Sequence, residues 1–446
     1  VNGPPYTLTV TPPAGGQVKG AGIRCGAGAA TCSVTMPAAI KVGLEAVPRV
    51  EGAAPRLREL MTDSVRLRLL SEVPLGAFLS GGIDSSIVVG VMSRLLSQPV
   101  KTFTVGFQGA GWYDESPEAE AVGRHFGTDH HTLEVASPDL PAYLEQTVRA
   151  LDEPMADPAS IPTCMISRYA RQWVTVALTG EGADELFGGY DHYRFELLLS
   201  RLGSLGRLAG RAGSFLPARF IPPKVRKALE AAALREPDRH LRVRATLAPA
   251  EVASLLRRSP PGKLPRATRD ALEEGMEWYP SRDPVNRLLF QDLATWLHDD
   301  LLMKVDKMSM LSSLEARVPF LDYRIVEFLF SLPGSYKLRR GGSKSLLRAA
   351  FSDLIPARTL RRRKHGFALP IHRWLRHELR DYLHDHFASG SDPFYDHLDR
   401  RAVAGMQDQF YRRNVDCSLP LWILLCLKVW CSQSLGPAPA LPDRAH

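Results

Sequence analysis

The chain has 446 residues, 45% hydrophobic and 23% charged, with a formal net charge of +8. That is an ordinary soluble globular composition, long enough for two or three domains. No run reaches 18 consecutive apolar residues, and Lys428 interrupts the apolar stretch Leu419–Leu427, which therefore reads as a core helix rather than a membrane span.

The basic excess gathers towards the C-terminal half, as at Arg358, Arg361, Arg362, Arg363 and Lys364. No RNA-binding or helix-turn-helix signature accompanies it, so a small anion is the expected partner, not nucleic acid or a membrane surface. The chain opens with neither a signal peptide nor an initiator Met, so Val1 need not be a natural start. None of the six cysteines forms a CxxC pair, which argues against structural zinc. Cys164, Cys417, Cys426 and Cys431 sit in apolar or helical context and read as reduced thiols of a cytoplasmic protein. Cys25 and Cys32 flank a Gly/Ala-rich loop where a local disulfide would fit.

Residues 1–50 read as a small β-rich segment. Tyr6–Val10, Cys32–Met36 and Lys41–Val47 alternate apolar and polar residues between Gly and Pro. The segment resembles the Cys-pair β-repeats of secreted bacterial surface proteins, a fusion or gene join foreign to the rest of the chain. The second unit is expected over 51–434, with a loose tail over 435–446. An amphipathic helix begins at Pro55. Val73–Leu79 reads as a buried strand, and Ile87, Val88, Val91, Met92 and Leu95 have helical spacing. Between them stands Ser80-Gly-Gly-Ile-Asp84-Ser85-Ser86. A strand, a Gly-rich turn and a helix aim backbone N–H groups and a helix dipole at one point, which suits phosphate. A plain tight turn would read the same way. Asp84 is the odd member, since a carboxylate beside phosphate needs a cation between them.

Strands are expected at Val100–Phe107, His130–Val135 and Trp173–Leu178. Helices are expected at 118–126, 140–151 and 161–172. The alternation predicts a parallel sheet with helices on both faces and ligands at the carboxyl ends of the strands. After the last strand comes Thr179-Gly-Glu181-Gly-Ala-Asp184-Glu185. Three carboxylates so close are costly to place together. A solvated acidic turn and a Mg²⁺ site with a general base both fit. Residues 190–280 read as a helical, basic insertion. Residues 284–434 read as helices, including 284–298, 300–315, 323–331, 343–351, 371–386, 400–411 and 419–432. Within them Asp300, Glu315 and Arg317 are either internal ion pairs or a binding set. Gly341–Arg348 lacks the GxxxxGK spacing of a Walker A loop, yet places Lys344 at a glycine-rich helix start.

The ordered stretches SGGIDSS, FTVGF, TGEGADELFGGY, DDLLMKVDKMSM, SLEARVPFLD, GSKSLLR and RRKHGFALP resemble the synthetase domain of asparagine synthetases, over about residues 55–434. The resemblance implies an α/β fold of the PP-loop ATP pyrophosphatase type, with a helical C-terminal part. It implies that ATP lies against Leu79, Ser80, Gly81, Gly82, Asp84, Ser85, Val105, Thr179 and Gly180, with Mg²⁺ on Asp84 and Asp184. A carboxylic acid, expected to be aspartate, would be adenylated with pyrophosphate release, and ammonia would displace AMP. Lys344 would stabilise the phosphate charge, and Glu181 would act as general base. Asp300, Glu315 and Arg317 are the expected acid-binding residues. Similar β-lactam synthetases carry Tyr where Glu181 stands, so Glu181 favours ammonia as acceptor. Relatives of this shape also serve polysaccharide and peptide natural-product pathways, and a non-catalytic remnant is the remaining alternative. The resemblance does not extend to the family's glutaminase domain. The expectation is then free ammonia, a borrowed separate glutaminase, or an incomplete or joined gene product, with a homodimer the expected assembly.

Overall fold

A computed structural model describes residues 6–10, 16–20, 23–25, 32–36, 45–48 and 50–435, the last range without 108–113, 136–138, 215–220, 259–265, 280, 340–341, 363–368 and 391–392. The first five strands, β1 (Tyr6–Val10), β2 (Gly16–Gly20), β3 (Ile23–Cys25), β4 (Cys32–Met36) and β5 (Glu45–Pro48), form two small antiparallel sheets, ordered β1-β4 and β3-β2-β5. The expected strand Lys41–Val47 is described only from Glu45. The side chains of Cys25 and Cys32, and the disulfide expected of them, lie outside the described residues. Cys164, Cys426 and Cys431 are buried free thiols, and Cys417 is partly exposed.

Helix α1 (Val50–Arg68) leads into a sheet of five parallel strands: β6 (Leu75–Phe78), β7 (Lys101–Phe107), β8 (Asp129–Val135), β9 (Val176–Leu178) and β10 (Glu315–Arg317). The order is β10-β9-β6-β7-β8. Strands β6, β7 and β8 run outward in sequence, and the chain then returns to place β9 on the other side of β6. The switch point lies between β6 and β9. The loops that follow those two strands flank the crevice where such sheets bind ligands.

The crossovers are α2 (Ile83–Leu95) and α3 (Ser116–Phe126), then α4 (Leu140–Ala150) and α5 (Ser160–Ala170). After β9 come the short α6 (Ala183–Phe187), then α7 (Asp191–Ser214), α8 (Pro223–Ala233), α9 (Asp238–Arg244), α10 (Pro249–Leu255), α11 (Arg266–Trp278) and α12 (Pro284–Ala294). The single helix expected over 300–315 is instead three pieces. A π-helical turn at Leu297–Leu302 runs into α13 (Met303–Met310), and the chain then breaks and forms β10. Ser313 in the break has a positive φ of 54°, which a helix cannot contain. Pairing with β9, remote in sequence, overrides the local helical pattern.

Beyond β10 lie α14 (Tyr323–Ser331), α15 (Ser345–Ala350), α16 (Ala357–Arg361), α17 (Ile371–Arg376), α18 (Arg380–Ala388), α19 (Phe394–His397), α20 (Arg400–Tyr411) and α21 (Ser418–Ser434). The expected helix 371–386 is divided between α17 and α18. Two cores sandwich the sheet. One packs α1, α2, α14 and α15 through residues such as Leu57, Ile87, Ile325 and Leu347. The other packs α4, α5 and α21 through Leu144, Met165 and Trp422.

Candidate active site

The stretch after β6 folds as its composition requires. Gly81 has a φ of +69°, and a Cβ there would lie 2.6 Å from Glu118 Cβ, so the turn needs glycine twice over. Gly82 caps α2 without any side-chain hydrogen bond to the first turn. The first N–H groups of α2 therefore keep their donor capacity for an anion. Ser80 and Ser85 touch through their hydroxyls at 3.1 Å, and Ser85 Oγ accepts from the Ser80 N–H at 3.2 Å.

The loop after β9 faces this turn. Gly182 and Gly188 take positive φ and bracket the five-residue α6, which carries Asp184 and Glu185. Lys344, only 2% exposed, reaches in from the start of α15. Its Nζ lies 2.6 Å from Asp84 Oδ2 and 2.7 Å from Asp184 Oδ1. A Cβ on Gly189 would fall 1.7 Å from Asp184 Oδ1 and 2.5 Å from Lys344 Cε, so only glycine leaves room for this bridge. Behind it, Tyr190 donates its hydroxyl to Glu185 Oε1 at 2.6 Å. Burial, and then the charge of Asp184, push the Glu185 carboxyl up to about 8.

A cleft with about 1030 Å³ of empty space, part of it open solvent, lies between these loops. Of the residues expected to bind ATP, Leu79, Ser80, Asp84, Ser85, Val105, Thr179 and Gly180 line it, together with Glu181 and Asp184. Gly82 sits beneath as the cap of α2, and Lys344 stands behind the two aspartates. Gly81 lines a second cavity beside it, with Glu118, Arg358, Arg361 and Arg362. Glu115 lines the first cleft and pairs with Arg362 of the second at 3.2 Å. Residues 363–368 of the basic stretch lie outside the described residues.

The three expected acid-binding residues do not come together. Arg317 pairs with Glu315 at 2.7 Å and donates to the Arg68 and Leu70 carbonyls at 2.8 and 2.9 Å. Both belong to the edge strand β10, and neither lines the cleft. Asp300 lies in the π-helical turn, set back from the cleft lining. Burial, and then the charge of Asp157, raise it to about 7. The residue that does line the cleft is Lys304, 5% exposed, bonded to Asp157 Oδ2 at 2.8 Å. It stands inside DDLLMKVDKMSM, among the apolar positions of a buried helix face. A lysine at such a position is the one signal of it that the sequence carries. Asp157, Glu115, Thr104 and Thr163, also at or beside the cleft, carry no comparable local signal.

Asp84 and Asp184 converge on one cation, and their hard oxygen donors suit Mg²⁺. Among the described residues no group of three or more His, Cys, Asp or Glu could hold a metal. Two carboxylates with the remaining positions left to phosphate oxygens and water is the usual arrangement for Mg²⁺ on a nucleotide.

The family model for asparagine synthase matches residues 56–432. Asparagine synthetase (glutamine-hydrolyzing) 1 of Bacillus subtilis (strain 168) is 32% identical over 379 residues, 84% of this chain and 58% of that protein. A putative asparagine synthetase (glutamine-hydrolyzing) of Mycobacterium bovis is 35% identical over 381 residues, 83% of this chain and 56% of that protein. A putative asparagine synthetase (glutamine-hydrolyzing) 2 of Methanocaldococcus jannaschii is 39% identical over 163 residues, 36% of this chain and 31% of that protein. The chain thus spans little more than half the length of the first two relatives. With the family model covering most of its length, the chain belongs to the asparagine synthase family.

Proposed function

We propose that this chain is an amide-forming ligase that activates a carboxylic acid, aspartate in the first instance, by adenylation. The observation that carries this reading is the convergence of Asp84, Asp184 and Lys344 at a glycine turn that opens on a cleft. A carboxylate is a poor acyl donor, and an adenylate gives it a good leaving group. An oxygen of the acid attacks the α-phosphorus of ATP, and the bond from that phosphorus to the bridging oxygen breaks. Pyrophosphate leaves with the electron pair. The α2 N–H groups and Lys344 hold the charge that gathers on the leaving group. Magnesium, when bound by Asp84 and Asp184, neutralises part of the same charge. Leu79 and Val105 present apolar surface for the adenine, and Thr179 and Gly180 border the ribose.

In the second step ammonia attacks the acyl carbon, and AMP departs with its bonding electrons. Glu181 lines the cleft beside Asp184 and takes the proton that the nitrogen must lose. The two most fully matched relatives described above are named as glutamine-hydrolysing. Residues 51–434 form the synthetase unit, and 1–50 are an appendage outside the chemistry.

Incubation with ATP, Mg²⁺, aspartate and ammonia should yield AMP, pyrophosphate and asparagine in equal amounts, read by chromatography. ADP and phosphate as products would refute the mechanism. Glu181→Gln should lower amide formation about 100-fold and leave acid-dependent pyrophosphate exchange within about threefold. Equal loss in both steps would remove Glu181 from the role of base.

A further inference from the structure

The second half of α7 is built the wrong way round for a helix in water. Gly203 takes φ 52° and ψ −122°, so α7 is two helical pieces joined at that residue. In the second piece the buried positions are Gly206, Gly210 and Gly213, at helical spacing. A Cβ on Gly210 would lie 2.5 Å from the Leu229 carbonyl oxygen, and one on Gly213 2.7 Å from Leu229 Cδ1. This glycine face therefore packs directly on α8. Leu205 and Leu208 are left outside it, 75% and 68% exposed. Leu198 and Leu202, before the break, and Val225 of α8 are exposed as well. A surface helix ordinarily buries its leucines and turns polar residues outward. Here the close approach of two helices gives the buried side to glycine, and the leucines face solvent.

The charge around these leucines has one sign. Residues 197–229 contain seven Lys and Arg and neither Asp nor Glu. Arg201 and Lys224 are exposed and make no ion pair among the described residues. Arg226 pairs instead with Glu251 at 2.7 Å. The last acid before the segment, Glu196, is buried against His240. The outer face thus combines apolar side chains with cations that lack counter-charges.

That combination selects among occupants. A second copy meeting this face through the same face would set like charges against each other. A nucleic acid would answer the arginines, but its bases stack on aromatic rings and not on leucines. An anionic lipid surface answers both, with phosphates for the cations and acyl chains for the leucines.

We infer that α7, with the start of α8, docks on an anionic lipid surface. Leu205 and Leu208 enter the acyl boundary, and Arg201 and Lys224 meet the lipid phosphates. The helix lies in the interface and does not span it. This departs from the small anion expected of the basic excess as a whole, because the excess is local here and mixed with leucines. It is independent of the chemistry in the cleft.

The test is co-flotation of the full chain with phosphatidylcholine vesicles, with or without about one third phosphatidylglycerol. The anionic vesicles should bind at least about tenfold more tightly than the neutral ones, and the difference should shrink as salt rises to about 0.5 M. Leu205→Ser combined with Leu208→Ser should weaken binding to anionic vesicles about tenfold, and Arg201→Gln about threefold. These side chains are exposed, so the unfolding temperature should stay within about 1 °C of wild type. Binding to neither kind of vesicle, or equally to both, overturns the inference. So does anionic binding that the double leucine variant leaves unchanged, which would be the attraction of a basic surface alone. A dimer in sedimentation velocity that the double variant dissociates, without vesicle binding, gives the face to a second copy and overturns it too.

Discussion

Two buried polar networks lie on either side of Tyr190, and they are built on opposite electrostatic plans. At the cleft, Lys344 is shared by Asp84 and Asp184, the charges of Asp184 and Glu181 both act on Glu185, and these four carboxylates outnumber the cations Lys344 and Lys304. In the helical insertion the charges balance. His240 of α9 sits 3.2 Å from Glu196 of α7 and 3.1 Å from Asp292 of α12. His192 reaches the other oxygen of Asp292 at 3.1 Å. Arg244 lies 3.6 Å from Asp292 and stacks 3.8 Å over the Trp296 ring. The balanced network ties three helices together and needs no ligand. The unbalanced one lacks positive charge, which fits the metal and nucleotide proposed for it. The difference separates a network that holds helices together from one proposed to bind and react.

The sharpest way to break that distinction is Lys344→Met. It should reduce pyrophosphate exchange about 1000-fold, because the leaving-group charge and both aspartates lose their shared cation. Exchange within tenfold of wild type would place the phosphates elsewhere. The next effect falls on the insertion. Burial works against the charged form of His240, but the hydrogen bonds it donates to Asp292 and Glu196 prevail and raise it to about 9. A histidine whose folded pKa lies above its ordinary 6.5 contributes stability in full below pH 6.5 and loses it as pH rises through 9. Thermal unfolding should therefore show about 3 kcal/mol lost between pH 6.5 and 9, and His240→Gln should flatten that slope. Asp292 is held well below the ordinary carboxylate range. Burial opposes this, but the hydrogen bonds from His192 and His240 outweigh it, so its contribution is lost on acidification. The smallest effect belongs to Arg317→Ala. Losing its bonds to the Arg68 and Leu70 carbonyls should cost about 1 kcal/mol of stability and leave the KM for the acid unchanged. A raised KM would return Arg317 to the binding set.

What the sequence made legible was local. SGGIDSS announces its own turn, since glycines between a strand and a helix suffice to shape it. TGEGADELFGGY likewise carries its carboxylates and its bends within a dozen positions. The parallel sheet follows from strands alternating with helices. What escaped depends on partners far along the chain. Lys304 and Asp157 are 147 positions apart, and neither shows alone that it is half of a buried pair. Glu315 at the end of the expected helix and Arg317 just beyond it carry no strand signal, because nothing near them reveals that β9 is waiting for a neighbour. The insertion's histidines and acids are scattered over three helices, and only their packing turns them into a network.

That waiting neighbour has a consequence for synthesis on the ribosome. The first residue of β9 is Val176, and its partner in β10 is Glu315, which emerges 139 positions later, 315 minus 176. At about 5–20 residues per second the delay is roughly 7–30 s. Throughout it the nascent sheet presents the outer edge of β9 with unsatisfied backbone donors and acceptors, the kind of edge that recruits another chain. The yield of folded protein is then governed by how long translation of the insertion takes. Slowing the ribosome between β9 and β10 should raise the fraction lost to aggregation, whereas the same pause placed after α14 should not.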